Sequence, residues 1–98
     1  MRVNKPLYVN TEPDKFDEFK LKGFMFKWKI ESKIPKNSNI IFFTRYNKHN
    51  EFVLEVYTEY PGYLIGKNGS SIQSFADKVK DIGIDKVYIT EIKSNNIV

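Results

Sequence analysis

The chain has 98 residues, 41% of them hydrophobic and 15% aromatic, enough for one small domain with a single core and no covalent staples. It has no cysteine, which excludes disulfides and thiolate metal sites and fits a reducing compartment. The net charge of +4 is one-sided: residues 1–49 hold 11 Lys/Arg against 5 Asp/Glu, and residues 50–98 hold 5 against 7.

In chain order, residues 1–13 form an irregular arm punctuated by Pro6 and Pro13. Its start, Met1-Arg2-Val3-Asn4-Lys5-Pro6, has neither the apolar centre of a signal peptide nor the Arg- and Ser-rich amphipathic pattern of a transit peptide. No apolar run approaches the roughly 20 residues that cross a bilayer, so no membrane partner is expected. Asp14 is placed to cap a helix starting at Lys15, with Asp17 and Glu18 favourable in its first turn. From Phe16 to Ile34 two periods compete. Phe16, Phe19, Gly23, Phe26, Ile30 and Ile34 fit a helix, while Phe24, Phe26, Trp28 and Ile30 alternate as in a strand. The length and the lysine content favour a helix, with a break near Gly23. Trp28, Phe24 and Phe26 are expected in packing rather than in stacking on bases. The positive excess gathers here, in Lys20, Lys22, Lys27, Lys29, Lys33 and Lys36. That is the footprint of a phosphate binder or an ordinary solvated lysine face.

Pro35 and Lys36-Asn37-Ser38-Asn39 end the segment. Asn39 to Tyr46 is β-branched and aromatic, a strand. Asn47-Lys48-His49-Asn50 is a hairpin connection. Glu51 to Thr58 alternates, with Phe52, Leu54 and Val56 on one face and Glu51, Glu55 and Glu59 on the other, as in a half-exposed antiparallel strand. Pro61 opens a short helix, which Gly66–Gly69 breaks. Ser70 and Gln73 match a capping box. Ile72, Phe75, Ala76 and Val79 form the buried stripe of the next helix, stopped at Gly83. Lys86 to Ile92 is the last strand, with Val87 and Ile89 inward.

The richest segment is Tyr60-Pro61-Gly62-Tyr63-Leu64-Ile65-Gly66-Lys67-Asn68-Gly69-Ser70-Ser71-Ile72. Gly66 and Gly69 lack a Cβ and tolerate positive φ, which lets bare backbone lie against a bulky ligand. The helix after them offers free N–H groups and the positive end of a dipole, suited to phosphate. Lys67 adds a full charge, and the combination points to nucleic acid.

This turn, in this order of elements, resembles the type II KH domain, whose signature is Ile-Gly-x-x-Gly between two helices; Ile65-Gly66-Lys67-Asn68-Gly69 matches it. Within that class the chain looks most like the N-terminal half of the KH-containing third protein of the small ribosomal subunit. Pro61 to Gly69 follows that family's Arg-Pro-Gly-x-x-Ile-Gly-Lys-x-Gly, with Tyr60 in place of Arg. Val87-Tyr88-Ile89-Thr90-Glu91-Ile92-Lys93-Ser94-Asn95 follows its closing Glu-Ile-Lys-Asn-Pro strand. Leu7-Tyr8-Val9 and Phe16 to Ile34 fall where the family has a Trp-Tyr approach and a long helix. The implied fold is α+β, a three-stranded mixed sheet packed on helices with an extra N-terminal helix. The family carries a second α/β domain after this one, and its role is not transferred to this chain.

The resemblance implies a non-enzymatic structural constituent of the small ribosomal subunit that binds ribosomal RNA. Its neighbours would be other small-subunit proteins and a separate chain supplying the family's C-terminal half. No cofactor is expected. Phe, Tyr, Met, Ile, Asn and Lys supply 50 of the 98 residues, an AT-rich coding bias that suggests an organelle such as the mitochondrion, a phage or a bacterium. The expected location is thus an organellar ribosome, otherwise the cytoplasm.

In KH recognition the glycine loop clamps about four nucleotides of single strand. Gly66 and Gly69 would admit sugar and phosphate. Lys67, Ser70 and the first helical amides would meet phosphates. Asn68 would donate to phosphate or sugar, or simply tolerate a left-handed backbone. Ile65 and Ile72, with a residue of the last strand near Ile89, would floor the bases or serve only the core. Tyr63 is either core or a stacking platform. Lys20, Lys22, Lys27, Lys29 and Lys33 would add phosphate contacts.

Other classes of function fit less well. A phosphate-binding loop needs four residues between its glycines and Ser or Thr after the lysine; here three separate Gly62 from Gly66, and Asn68 follows. His49 is the only histidine, and no nucleophile elbow is present. Glu55 and Glu59 fit a solvent face or a basic protein neighbour. A free-standing regulatory KH protein that binds single-stranded RNA, from a phage, plasmid or bacterium, is the alternative to the ribosomal reading.

Overall fold

The computed structural model describes residues 12–93. The expectations on Pro6, Leu7-Tyr8-Val9 and Ser94-Asn95 lie outside the described residues.

Phe16 donates its amide to the Pro13 carbonyl at 3.0 Å, which folds Asp14 and Lys15 into a turn instead of a helix start. Helix α1 (Glu18–Ser32) begins after Asp17, whose carboxylate caps it by accepting from the Lys20 amide at 3.1 Å. Asp17 takes the capping role from Asp14 because the turn anchors Phe16 edge-on against Phe52, 5.2 Å between centroids. The helix runs unbroken through Gly23. It stops at Lys33, which adopts φ 56° and donates its N–H to the Ile30 carbonyl. The buried face is Leu21, Met25 and Trp28, with Phe24 beside it; Phe19, Phe26 and Ile30 point outward. Phe26 is therefore a surface residue, contrary to expectation.

Strands β1 (Ile40–Tyr46) and β2 (Phe52–Thr58) pair antiparallel, with Phe42 opposite Val56. The Asn47 side chain closes their hairpin. It accepts from the His49 and Glu51 amides at 2.9 Å each and donates to the Glu51 carboxylate at 2.9 Å. That amide, with Lys86 and His49 nearby, holds the Glu51 carboxyl below its ordinary 4.5. Strand β3 (Lys86–Glu91) pairs parallel with β2, giving a mixed sheet in the order β1-β2-β3. A parallel neighbour requires a crossover, which helices α2 (Pro61–Ile65) and α3 (Ser70–Lys80) supply. Asp85 fixes the start of β3: its amide donates to the Phe52 carbonyl at 2.7 Å and its carboxylate accepts from the Phe52 amide at 2.9 Å.

The three helices cover one face of the sheet, forming a two-layer α+β domain. Phe52, Leu54 and Val56 meet Leu21, Met25, Trp28, Leu64, Phe75 and Val79 in the core, closed by Ile82 and Ile84. Ile72, Val87 and Ile89 are partly buried against it. In β2 both alternating sets of side chains are buried, Tyr57 only partly, so the strand is not half exposed. Glu55 is thus no part of a solvent face: it is 8% exposed and takes the Arg45 Nε at 2.8 Å, with a second bond from Arg45 Nη2. Gly83, at φ 91°, ends the α3 segment as its position suggests.

Candidate nucleic-acid interface

The crossover places the glycine turn at the junction of two helices. Helix α2 closes with the Gly66 amide on the Gly62 carbonyl at 3.0 Å. Gly66 then takes φ 78°, ψ 175°, a conformation reserved for glycine. A Cβ there would lie 2.6 Å from the Ser71 Cβ and 3.0 Å from its amide nitrogen. One helical-type turn, Lys67–Gly69, follows, held by the Gly69 amide on the Gly66 carbonyl at 3.2 Å. Asn68 and Gly69 are both left-handed, at φ 56° and 77°. The Asn68 backbone is therefore the left-handed case foreseen for it.

Gly69 is the N-cap of α3 and has no side chain to bond the first amides. The capping box does not form. Ser70 sits one position too far inside the helix, and Gln73 donates instead to Asp77 at 3.1 Å. The first turn of α3 contains no acidic residue, and Lys67 lies just before it. The start of this helix is thus positive and carries no side-chain cap.

Lys67, Asn68 and Ser70 are exposed, Gly66 and Gly69 half-buried. Ile65 is at the surface, whereas Ile72 and Ile89 pack on the core, so an apolar floor of all three is only partly open. Tyr63 leaves the core entirely. It meets Tyr60 edge-on at 5.8 Å beside an open concavity of about 400 Å³ lined by the two rings and Gly62. The five candidate lysines of the N-terminal half are exposed. Helical spacing places Lys20 and Lys27 along one rim of α1 and Lys22 and Lys29 along the other, with Lys33 at its end. Lys22 pairs with Glu18 at 3.8 Å.

The support beneath the turn was not foreseen. The indole Nε1 of Trp28 donates both to the Leu64 carbonyl at 3.2 Å and to Ser71 Oγ at 3.0 Å. Its ring stacks on Phe75, 3.8 Å between centroids at 14°. One buried side chain thus fixes α1, the end of α2 and the start of α3. The sequence signal was its place three residues after Met25 and seven after Leu21. That is a helical stripe, and the spacing names no partner.

Among the described residues, no group of three or more His, Asp or Glu side chains is arranged to hold a metal ion. None of the helices there is long and apolar enough to cross a membrane. No protein-family model, curated protein or solved structure matches the chain.

Proposed function

We propose that the chain is a type II KH domain acting as a non-enzymatic RNA-binding constituent of the small ribosomal subunit. One observation carries the RNA reading: Gly66 has a backbone only glycine adopts and no room for a Cβ, directly before the exposed pair Lys67-Asn68 and an uncapped helix start. Such a turn lets a sugar-phosphate strand lie against backbone while the amides and the Lys67 ammonium meet its charge. The order of helix, two strands, short helix, turn, helix and strand, with β3 parallel to β2, supports the KH assignment. Tyr60 and Tyr63 offer rings for an unstacked base. The lysines of α1 lie on two rims separated by apolar side chains. They serve as a positive field that draws RNA in, and the turn is the clamp.

The test is the double substitution Lys67→Asp with Asn68→Asp. Both positions are exposed, so the circular dichroism and thermal midpoint should hold. Affinity for a single-stranded RNA in a gel shift should fall about tenfold or more, because two negative charges then face phosphate. Unchanged affinity in the folded variant would remove the turn from RNA binding. The ribosomal assignment has its own test: the native protein should sediment with small subunits through a high-salt wash. Recovery with a single transcript in the soluble fraction would make it a free-standing regulator instead.

A further inference from the structure

Helix α1 has a second apolar stripe, facing away from the domain. Phe19, Phe26 and Ile30 are 86%, 65% and 59% exposed, and exposed Gly23 lies between the first two. The positions 19, 23, 26 and 30 step by four, three and four, the spacing of a and d sites in a heptad seam. In that register the four flanking e and g sites are Lys20, Lys22, Lys27 and Lys29, all lysine. The sites that a coiled coil turns to solvent hold Leu21, Met25 and Trp28, and here they are buried in the domain's own core. One helix therefore carries two opposed apolar faces, and the domain uses one.

We propose that the outer face of α1 is a docking seam for an amphipathic helix of a partner protein, apolar at its own a and d sites and acidic at e and g. Charge decides the occupant. A second copy of this chain would set lysine against lysine along both rims, which opposes self-pairing. Residues 1–11 and 94–98 contain no Asp or Glu, so those segments of the chain supply no acidic complement. At the C-terminal end of the seam a depression of about 300 Å³ extends the same chemistry. Phe26, Ile30 and Pro35 line it together with Lys29, Lys33 and Lys36. RNA is the rival occupant, because Phe19 and Phe26 are rings flanked by lysine, and loss of the RNA gel shift in the seam variant below would decide for it. Gly23 agrees with a close helix neighbour: among the described residues a Cβ there would touch nothing within 4 Å beyond the helix's own backbone, so they do not require glycine at this site. The seam is short, about 16 Å from Phe19 to Ile30 at 1.5 Å per residue. Such a contact is weak alone and suits an assembly in which other contacts add to it.

Two synthetic helices of three heptads test this, both with Leu and Ile at a and d, one with Glu and one with Lys at every e and g. Each is labelled and titrated with the full chain by fluorescence anisotropy at low salt. The Glu peptide should bind with a Kd on the order of 10 μM, at least about tenfold tighter than the Lys peptide. The paired substitutions Phe26→Ser and Ile30→Ser, both at exposed positions, should abolish that binding with unchanged circular dichroism. The gel shift with RNA should not move in this variant, which keeps the result separate from the role of the glycine turn. Equal binding of the two peptides, or binding of neither, overturns the proposal. So does a dimer in sedimentation, or adhesion to phosphatidylserine vesicles, that the same variant abolishes.

Discussion

Trp28 shows how a single nitrogen sets the geometry of a surface turn. Its indole N–H is shared between the Leu64 carbonyl and the Ser71 hydroxyl, one on each side of Gly66-Lys67-Asn68-Gly69. Trp28→Phe keeps an aromatic ring against Phe75 and removes the donor. Two acceptors lose that partner and a small void opens, so the loss of stability should be about 2–3 kcal/mol by urea titration. RNA affinity should weaken as well, since the turn loses its anchor. The two glycines separate by the same reasoning. At Gly66 a methyl group would collide with Ser71, and the backbone lies where side chains are not tolerated. At Gly69 no described residue beyond its chain neighbours lies within 4 Å of an added Cβ, and the left-handed φ of 77° is what opposes a side chain. Gly66→Ala should therefore cost about 3 kcal/mol or more, and Gly69→Ala about 1–2 kcal/mol. Equal midpoints for the two variants in denaturant would contradict the collision at Ser71.

At the scale of elements, the stability of α1 is limited by Gly23. Its backbone is helical, and among the described residues an added Cβ would meet nothing within 4 Å beyond the helix's own backbone. Gly23→Ala should raise stability by about 1 kcal/mol, read as a higher urea midpoint at constant slope. This helix also marks where the sequence misleads. Its length, lysine content and end near Pro35 were legible, but apolar residues line two opposite faces. Periodicity reports that a stripe exists and does not say which stripe meets the sheet. Leu21, Met25 and Trp28 win because their face also carries the indole that bonds to α2 and α3. In β2 the alternation of Phe52, Leu54 and Val56 with Glu51, Glu55 and Glu59 suggested one wet face. The strand instead lies between β1 and β3, and Arg45 from β1 supplies the partner that makes a buried Glu55 tolerable. Long-range pairing of this kind leaves no trace in local spacing.

At the scale of the molecule, the glycine turn was the most legible part, because Gly66 answers a backbone demand that no other residue meets. The distribution of lysine was legible as a total and not as a surface, since only the fold divides it between two rims of one helix. That division sets the salt dependence expected of the proposed RNA binding. For single strands each neutralised phosphate contributes a slope of about −0.7 in log affinity against log salt. The glycine turn carries one cation, Lys67, and so gives a slope of about −1 by that rule. If Lys20, Lys22, Lys27, Lys29 and Lys33 also touched phosphates, the slope would approach about −4. The two rims flank apolar side chains and leave no continuous cationic track, so binding measured between about 50 and 200 mM salt should give the shallower value. Lys67→Asp with Asn68→Asp should flatten it further. A slope of about −4 would place the α1 lysines on the RNA and leave the outer seam no acidic helix to hold.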